Sequence, residues 1–397
     1  MFERLKALPA DPLLGLITLY RDDPNPNKVD LGVGVYRDEQ GHTAIMKAIQ
    51  QAQKTHLSTE DSKTYIGPMG VPGFVDGIKK LILGESSKAL SAGAVAGIQT
   101  PGGCGALRVG FETLRRLGDD LTVWVSDPTW ANHIPTIRAS GFETQAYPYF
   151  DANTGLVNYE AMDEQLAKLG KDDIVLLHGC CHNPTGADLS FEHWQRIAER
   201  AVKQGFIPFV DIAYQGLGDG LESDVKGVRH LSEQVDEMVI ASSCSKNFGL
   251  YRERTGCLIV QTENQERSAA LQSQIQDVAR ANYSMSPAYG GFLVDLVLSS
   301  PDLRTSWEDE LNAMATRVKS LREGLLAEIK QRNVSQDFDF ITQQKGMFSY
   351  LNITKEQVRQ MRDEFSIYMA DSSRINVAGL NLSCLGYVAD ALKKACG

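Results

Sequence analysis

Residues 242–254 read Ser242-Ser243-Cys244-Ser245-Lys246-Asn247-Phe248-Gly249-Leu250-Tyr251-Arg252-Glu253-Arg254. The apolar run Met238-Val239-Ile240-Ala241 precedes them and Cys257-Leu258-Ile259-Val260 follows, so the stretch joins two buried strands. Lys246 thus sits at the mouth of a strand, among hydroxyls, near Gly249, Arg252 and Arg254. An ordinary lysine has a pKa of roughly 10.4 and is a poor nucleophile at neutral pH. Partial burial beside other cations lowers it to about 7–8, where the amine forms a Schiff base with an aldehyde. That shift is worth roughly 4 kcal/mol and requires a purpose-built pocket. On these residues alone, a surface lysine in a loop explains the text equally well.

The chain of 397 residues is 43% hydrophobic, enough for a large core and a second domain. A net charge of −10 argues against nucleic acid or an anionic membrane as the main partner. Seven irregularly spaced cysteines (Cys104, Cys180, Cys181, Cys244, Cys257, Cys384, Cys396) suit a reducing cytoplasm rather than a disulfide framework. The only apolar stretch near the start, Leu13 to Tyr20, runs into Arg21-Asp22-Asp23 and carries no cleavage pattern. The expectation is a soluble cytoplasmic protein.

Residues 1–30 read as a Pro-rich arm with one short helix, Leu13 to Arg21. Val29 to Tyr36 reads as a strand, with Gly32 and Gly34 where its backbone meets a ligand. A helix is expected over Ile45 to Leu57, then a turn-rich loop, Tyr65-Ile66-Gly67-Pro68-Met69-Gly70, that exposes a tyrosine. Thereafter strand and helix alternate, predicting an α/β fold whose mostly parallel sheet is flanked by helices. The strand Ala94 to Gln99 leads through Pro101-Gly102-Gly103-Cys104-Gly105 to a helix opening at Ala106, with Leu107, Val109 (or Gly110), Phe111 and Leu114 inward. Strand, Gly-rich turn and helix start make an anion site, although a plain tight turn looks the same. Neither GxGxxG nor GxxxxGK[ST] occurs, so a nucleotide fingerprint is missing.

Further strands are expected at Leu121 to Ser126, Ile174 to Leu177 and Phe206 to Tyr214. Past the first lies Trp130, which as an isolated residue is core more often than a stacking platform. Past the second comes His178-Gly179-Cys180-Cys181-His182-Asn183-Pro184-Thr185-Gly186. Adjacent cysteines without a second cluster lack the separation of structural zinc ligands, and no metal is expected. Inside the third lies Asp211, a carboxylate that needs a partner if buried. Arg280 leads a loop, 281–287, and helical text from Leu303 to Arg332 links to a second, smaller domain.

These pieces share one position, at or just past the carboxyl ends of strands, where open α/β sheets bind ligands. A Schiff-base lysine, a buried acid, a tyrosine, an asparagine and an anion cradle match pyridoxal phosphate. The motifs DPTWANH, HNPTG, DIAYQG, SCSKNFGLYRERTG, ARANYS and SRINVAG together resemble the fold-type I, class I aminotransferases of the aspartate/aromatic branch, nearly end to end. The resemblance implies that Lys246 carries the cofactor as an internal aldimine and relays the α-proton. It implies that Asp211, supported by His133, protonates the pyridine nitrogen, that Tyr214 and Asn183 bond the ring oxygen, and that Trp130 stacks on the ring. Gly103, Cys104, Ser243 and Arg254 match the phosphate cradle. Arg374, with the backbone of Gly34, matches the clamp on the substrate α-carboxylate. Tyr65 and Arg280 match residues reaching in from a neighbouring subunit, Arg280 for the distal carboxylate, which implies a homodimer with shared sites. The implied domains are an arm, 1–12, a small domain from 13–40 and 312–397, and a large domain, 41–311.

Two departures from the branch concern specificity. Cys104 stands where Thr or Ser is usual, and Met285-Ser286-Pro287 stands where aspartate enzymes continue Asn-Pro-Pro. Cys244 and Arg252 resemble the aromatic enzymes. Burying an aromatic ring gains about 1.5–3 kcal/mol. Leaving a buried guanidinium unpaired costs roughly 3–5 kcal/mol. An aromatic substrate therefore requires Arg280 to swing out or be shielded. The expected activity is ping-pong transfer from tyrosine, phenylalanine, tryptophan and dicarboxylic amino acids to 2-oxoglutarate, with aspartate aminotransferase as the alternative.

Overall fold

The computed structural model describes residues 2–7 and 12–397. The expected arm, 1–12, falls partly outside them, at residues 1 and 8–11.

A seven-stranded sheet organises the chain. In chain order its strands are β1 (Val95–Pro101), β2 (Thr122–Asp127), β3 (Thr144–Pro148), β4 (Asp173–His178), β5 (Ile207–Ile212), β6 (Met238–Ser243) and β7 (Thr255–Gln261). They lie in the order β1-β7-β6-β5-β4-β2-β3. The pairs β3–β2, β2–β4, β4–β5 and β5–β6 are parallel, whereas β7 runs antiparallel to both β1 and β6. The central strands β6 and β7 are buried along their whole length, as expected of a sheet covered on both faces. One face packs the helices Gly102–Arg115 and Gln265–Tyr283 through Leu107, Phe111, Ile275 and Val278. The opposite face merges with the core beneath the 31-residue helix Pro301–Gln331.

The two ends of the chain meet away from this sheet. Val29–Asp30 pairs in parallel with Ile367–Tyr368, and Phe348–Tyr350 pairs antiparallel with Arg374–Asn376. The strand expected over Val29 to Tyr36 stops at Asp30. There Asp30 Oδ1 accepts the N–H groups of Gly32 at 3.0 Å and Val33 at 3.4 Å, which turns the backbone out of the ladder.

Three more boundaries differ from expectation. The helix expected from Ile45 spans Lys47–Thr59, and the carboxylate of Glu310 accepts the Lys47 N–H at 2.7 Å. That anchor is 263 residues away and invisible to local pattern. The helix expected at Ala106 starts at Gly102, so the Gly-rich turn is its first turn. Glycine is required at Gly256 on β7, where a Cβ would lie 2.3 Å from the Gly102 carbonyl carbon. Arg280, Ala281, Asn282 and Tyr283 belong to the last turns of a helix rather than to a loop, which begins at Ser284 with φ 64°.

The long helix also reaches the lysine stretch. Trp307, fully buried, stacks on Phe248 at 4.4 Å and donates its indole N–H to the Asn247 carbonyl at 2.7 Å. Trp307→Phe leaves that carbonyl unpaired and is expected to cost about 1–3 kcal/mol. Trp307→Ala, which also empties the cavity, should cost about 3–5 kcal/mol. Urea unfolding midpoints measure both, and equal losses would contradict a distinct role for the hydrogen bond.

Candidate active site

The carboxyl ends of β1, β2, β4, β5 and β6 and the start of β7 converge on a cavity of about 230 Å³. Gly34, Gly103, Cys104, Trp130, Asn183, Asp211, Tyr214, Ser243, Lys246 and Arg254 line it. Sequence reasoning named all ten. His178, Cys180, Ser245 and Tyr251 line it too and were not assigned a role there. Ser245 and Tyr251 lie within the lysine stretch itself, and His178 ends β4, so position past a strand end was an available signal.

One wall is the first turn of the helix Gly102–Arg115. A Cβ on Gly102 would lie 2.6 Å from Arg254 Nη2, and one on Gly103 would lie 3.0 Å from Ser243 Cβ. The glycines therefore let a guanidinium and a hydroxyl close on exposed helix amides, which is an anion cradle. Ser243 Oγ donates to Ser245 Oγ at 3.1 Å, and Arg254 Nη1 donates to the Tyr251 carbonyl at 3.0 Å. Cys104 Sγ accepts from Asn132 Nδ2 at 3.6 Å.

Opposite stands Asp211, with Oδ2 at 2.9 Å from His133 Nε2. His133 Nδ1 meets Thr129 Oγ1 at 2.8 Å, and the same hydroxyl lies 3.3 Å from His178 Nε2. Burial would raise the Asp211 pKa. The hydrogen bond from His133 and the pull of that ring lead the effects that outweigh it and hold the acid below its usual value. Asp211 is thus an ionised carboxylate. Burial lowers His178 to about 3, so that ring is neutral.

Lys246 Nζ lies 4.7 Å from the centroid of the Tyr214 ring. Burial lowers its pKa, Arg254 and Arg374 push the same way, and Asp211 and Cys104 oppose them. Burial raises the Tyr214 phenol, more than Arg374 and Asn183 lower it, so that it stays protonated. Trp130 is half-buried, meets His133 edge-on at 5.2 Å, and lines the cavity while packing against the core cluster.

Arg374 stands just behind this wall. Its guanidinium lies 4.7 Å over the Phe348 ring, and Nη2 donates to the Gly32 carbonyl at 2.7 Å. Phe348 touches the Tyr214 ring edge-on at 5.8 Å, and a Cβ on Gly34 would lie 3.0 Å from its Cζ. No local signal marked Phe348. Two expected residues are not brought in. Tyr65 is 87% exposed beside a separate cavity of about 530 Å³, and Arg280 is exposed at its helix end.

Helix-flanked parallel strands with a lysine at their carboxyl edge define a fold-type I transferase. Within that class the chain belongs to the aminotransferase class I and II family, whose family model matches residues 26–392. It is 45% identical over 392 residues to an aromatic-amino-acid aminotransferase of Paracoccus denitrificans, covering 99% of each chain. It is 40% identical over 393 residues to the aspartate aminotransferase of Escherichia coli K12, again covering 99% of each. Among solved structures, an aromatic-amino-acid aminotransferase from Burkholderia pseudomallei, covalently bound to pyridoxal phosphate, superposes with a TM-score of 0.98 at 40% identity over the full length of both chains.

The lowered pKa of Lys246 has a measurable sign. As pH falls from about 10 toward about 7, exposed lysines lose neutral amine roughly tenfold per unit. Lys246 keeps its neutral form until the pH passes its own lower value. Reductive methylation of the protein stripped of bound aldehyde, read by peptide mass spectrometry, should therefore show the Lys246 share of label growing as pH falls. Asp211→Asn removes a charge that favours the ammonium and should enlarge that share. A share independent of pH would contradict the assignment.

Proposed function

We propose that this aminotransferase uses pyridoxal 5'-phosphate to exchange amino groups between aromatic or dicarboxylic amino acids and 2-oxoglutarate. The observation that carries this is a half-buried lysine of lowered pKa between an ionised acid and an anion cradle. Two features fit the cofactor. The glycine-lined cradle would be filled by any side chain at 102 or 103. Asn183 Oδ1 and Arg374 Nε are buried without a partner, which is costly unless a ligand supplies the bond.

Gly103, Cys104, Ser243 and Arg254 would hold the phosphate, with Lys246 as the point of covalent attachment. Trp130 would stack on the ring, while Asn183 and Tyr214 would bond its oxygen. When bound, the cofactor supplies an electron sink for charge developing at the substrate α-carbon. Asp211, with His133 behind it, would offer the ring nitrogen a negative charge and so favour its protonated form. Lys246 Nζ, its pKa lowered chiefly by burial, would take the proton from the α-carbon and return it. Arg374 offers a planar fork to the α-carboxylate, and Phe348 beneath it limits how that fork turns. The same pocket takes the amino donor and the keto-acid acceptor in turn.

Tyr65 and Arg280 complete the site from a second copy of the chain in this reading, which makes the enzyme a homodimer. Their exposure outside the cavity of their own chain supports it. The small domain would comprise 13–40 and 312–397, as the pairing of the two chain ends suggests, and the large domain 41–311. Seven cysteines without a disulfide among the described residues fit a cytoplasmic enzyme. No described helix is long and apolar enough to cross a membrane. Arg280, at an exposed helix end beside Ser284, has room to leave the pocket when an aromatic ring enters.

Lys246→Ala should abolish turnover while the chain stays folded, and retained turnover would overturn the mechanism. Arg280→Ala should lower kcat/KM for aspartate by roughly two to three orders of magnitude, from an unpaired carboxylate, and leave phenylalanine little changed. Mixing Arg280→Ala with Lys246→Ala subunits should restore aspartate turnover, because one site of each hybrid dimer then holds both residues. No recovery would place Arg280 in its own chain's site. Aspartate preferred over phenylalanine by orders of magnitude in the native enzyme would make it an aspartate aminotransferase.

A further inference from the structure

Two cysteines stand side by side one residue short of Asn183, with His182 between. Cys180 and Cys181 are buried and reduced, and their sulfurs and a carboxylate oxygen of Asp224 lie within 4.8 Å of one another. Cys181 is held at φ 51°, a region that non-glycine residues seldom enter. Asp188 fixes it there, accepting the N–H of Cys181 at 2.7 Å and of His182 at 2.8 Å. Gly346 closes the other side, where a Cβ would lie 2.6 Å from the Cys181 sulfur. The Cys181 side of the pair is thus held in place. Cys180 also belongs to two walls, that of the active-site cavity and that of a second cavity of about 240 Å³ shared with Asp188, Asp224 and Lys345.

The chemistry of the pair selects its ligand. A divalent cation would need thiolates. Contact between the two sulfurs pulls the Cys180 pKa down, but burial together with the negative charges of Asp224, Asp188 and Asp211 outweighs it and pushes the thiol up to about 11. Asp224 is already occupied, accepting the backbone N–H groups of Gly216, Gly218 and Asp219 at 2.8, 3.0 and 2.7 Å. A neutral reagent that binds protonated thiols and expels water meets neither obstacle.

We propose that Cys180 and Cys181 form a dithiol site for a trivalent arsenic oxyacid, set against the wall of the active site. Arsenous acid, As(OH)₃, exchanges two hydroxyls for the two sulfurs. Two S–H and two As–O bonds break and two As–S bonds form. The two protons leave with the two hydroxyls as two waters, and arsenic keeps its +3 state. The third hydroxyl stays on arsenic. Cys181 lies two residues from Asn183, and its sulfur sits 4.0 Å from the Tyr214 carbonyl, so the bridge also strains the part of the wall that faces substrate and slows turnover.

Holoenzyme incubated with sodium arsenite, desalted and assayed for arsenic should retain one arsenic per chain. A small dithiol in excess should remove it, and a monothiol at equal thiol concentration should not. Cys180→Ser and Cys181→Ser should each fall to background, whereas Cys396→Ser should retain arsenic as the native enzyme does. Retention by the folded Cys180→Ser variant, or none by the native holoenzyme, overturns the proposal. Should Cys181→Ser fail to fold, the Cys180→Ser result decides alone.

Discussion

The structure is organised around an electrostatic demand: an amine whose pKa is lowered in the same cavity as a carboxylate kept charged. Burial alone would neutralise both groups. Asp211 escapes chiefly because His133 bonds it and favours its charge. Lys246 does not escape, because burial, with smaller help from Arg254 and Arg374, outweighs the pull of Asp211 and Cys104. The difference between the two groups is one of neighbours rather than of depth, and the neighbours come from separate strand ends and from the chain's far terminus. The converging parallel strands supply that arrangement, since each contributes its loop at the same edge of the sheet.

Holding such neighbours in place falls to residues remote from the chemistry. Trp307 fastens the backbone beside Lys246 from the long helix. From the same helix the fully buried Arg322 donates to the carbonyls of Ile341 at 2.9 Å and Gly346 at 2.8 Å, and to Ser349 Oγ at 2.6 Å. Those acceptors are neutral, and burial draws the guanidinium down to about 10. Arg322 thereby tethers the strand that carries Phe348, on whose ring Arg374 lies. A buried charge satisfied only by dipoles is costly to form, so its value here lies in fixing geometry rather than in net stability.

Much of this was legible in residue order. The alternation of apolar strands with amphipathic helices specified a helix-flanked parallel sheet, and strand ends rich in Gly, Asn, Asp and Lys marked one edge as the site. The lysine-to-arginine stretch, 246–254, gathers hydroxyls, glycine and cations within a few residues, yet alone it fitted a surface loop equally well, and the other strand ends decided its reading. The Val29–Tyr36 strand and the helix start at Ala106 were misplaced because their limits depend on an Asp30 turn and on the close approach of Gly256. Trp130 looked like core text, and it does pack against the core; only the cavity showed that it also lines the site.

The sequence by itself determined which functional groups stand at each strand end, because side-chain chemistry and backbone period are properties of neighbours along the chain. It could not determine that Phe348 lies under Arg374, that Glu310 anchors Lys47, or that Tyr65 and Arg280 stay outside their own cavity. Those relations join positions up to hundreds of residues apart, and only the packed chain sets the distances on which burial, charge and hydrogen bonding act.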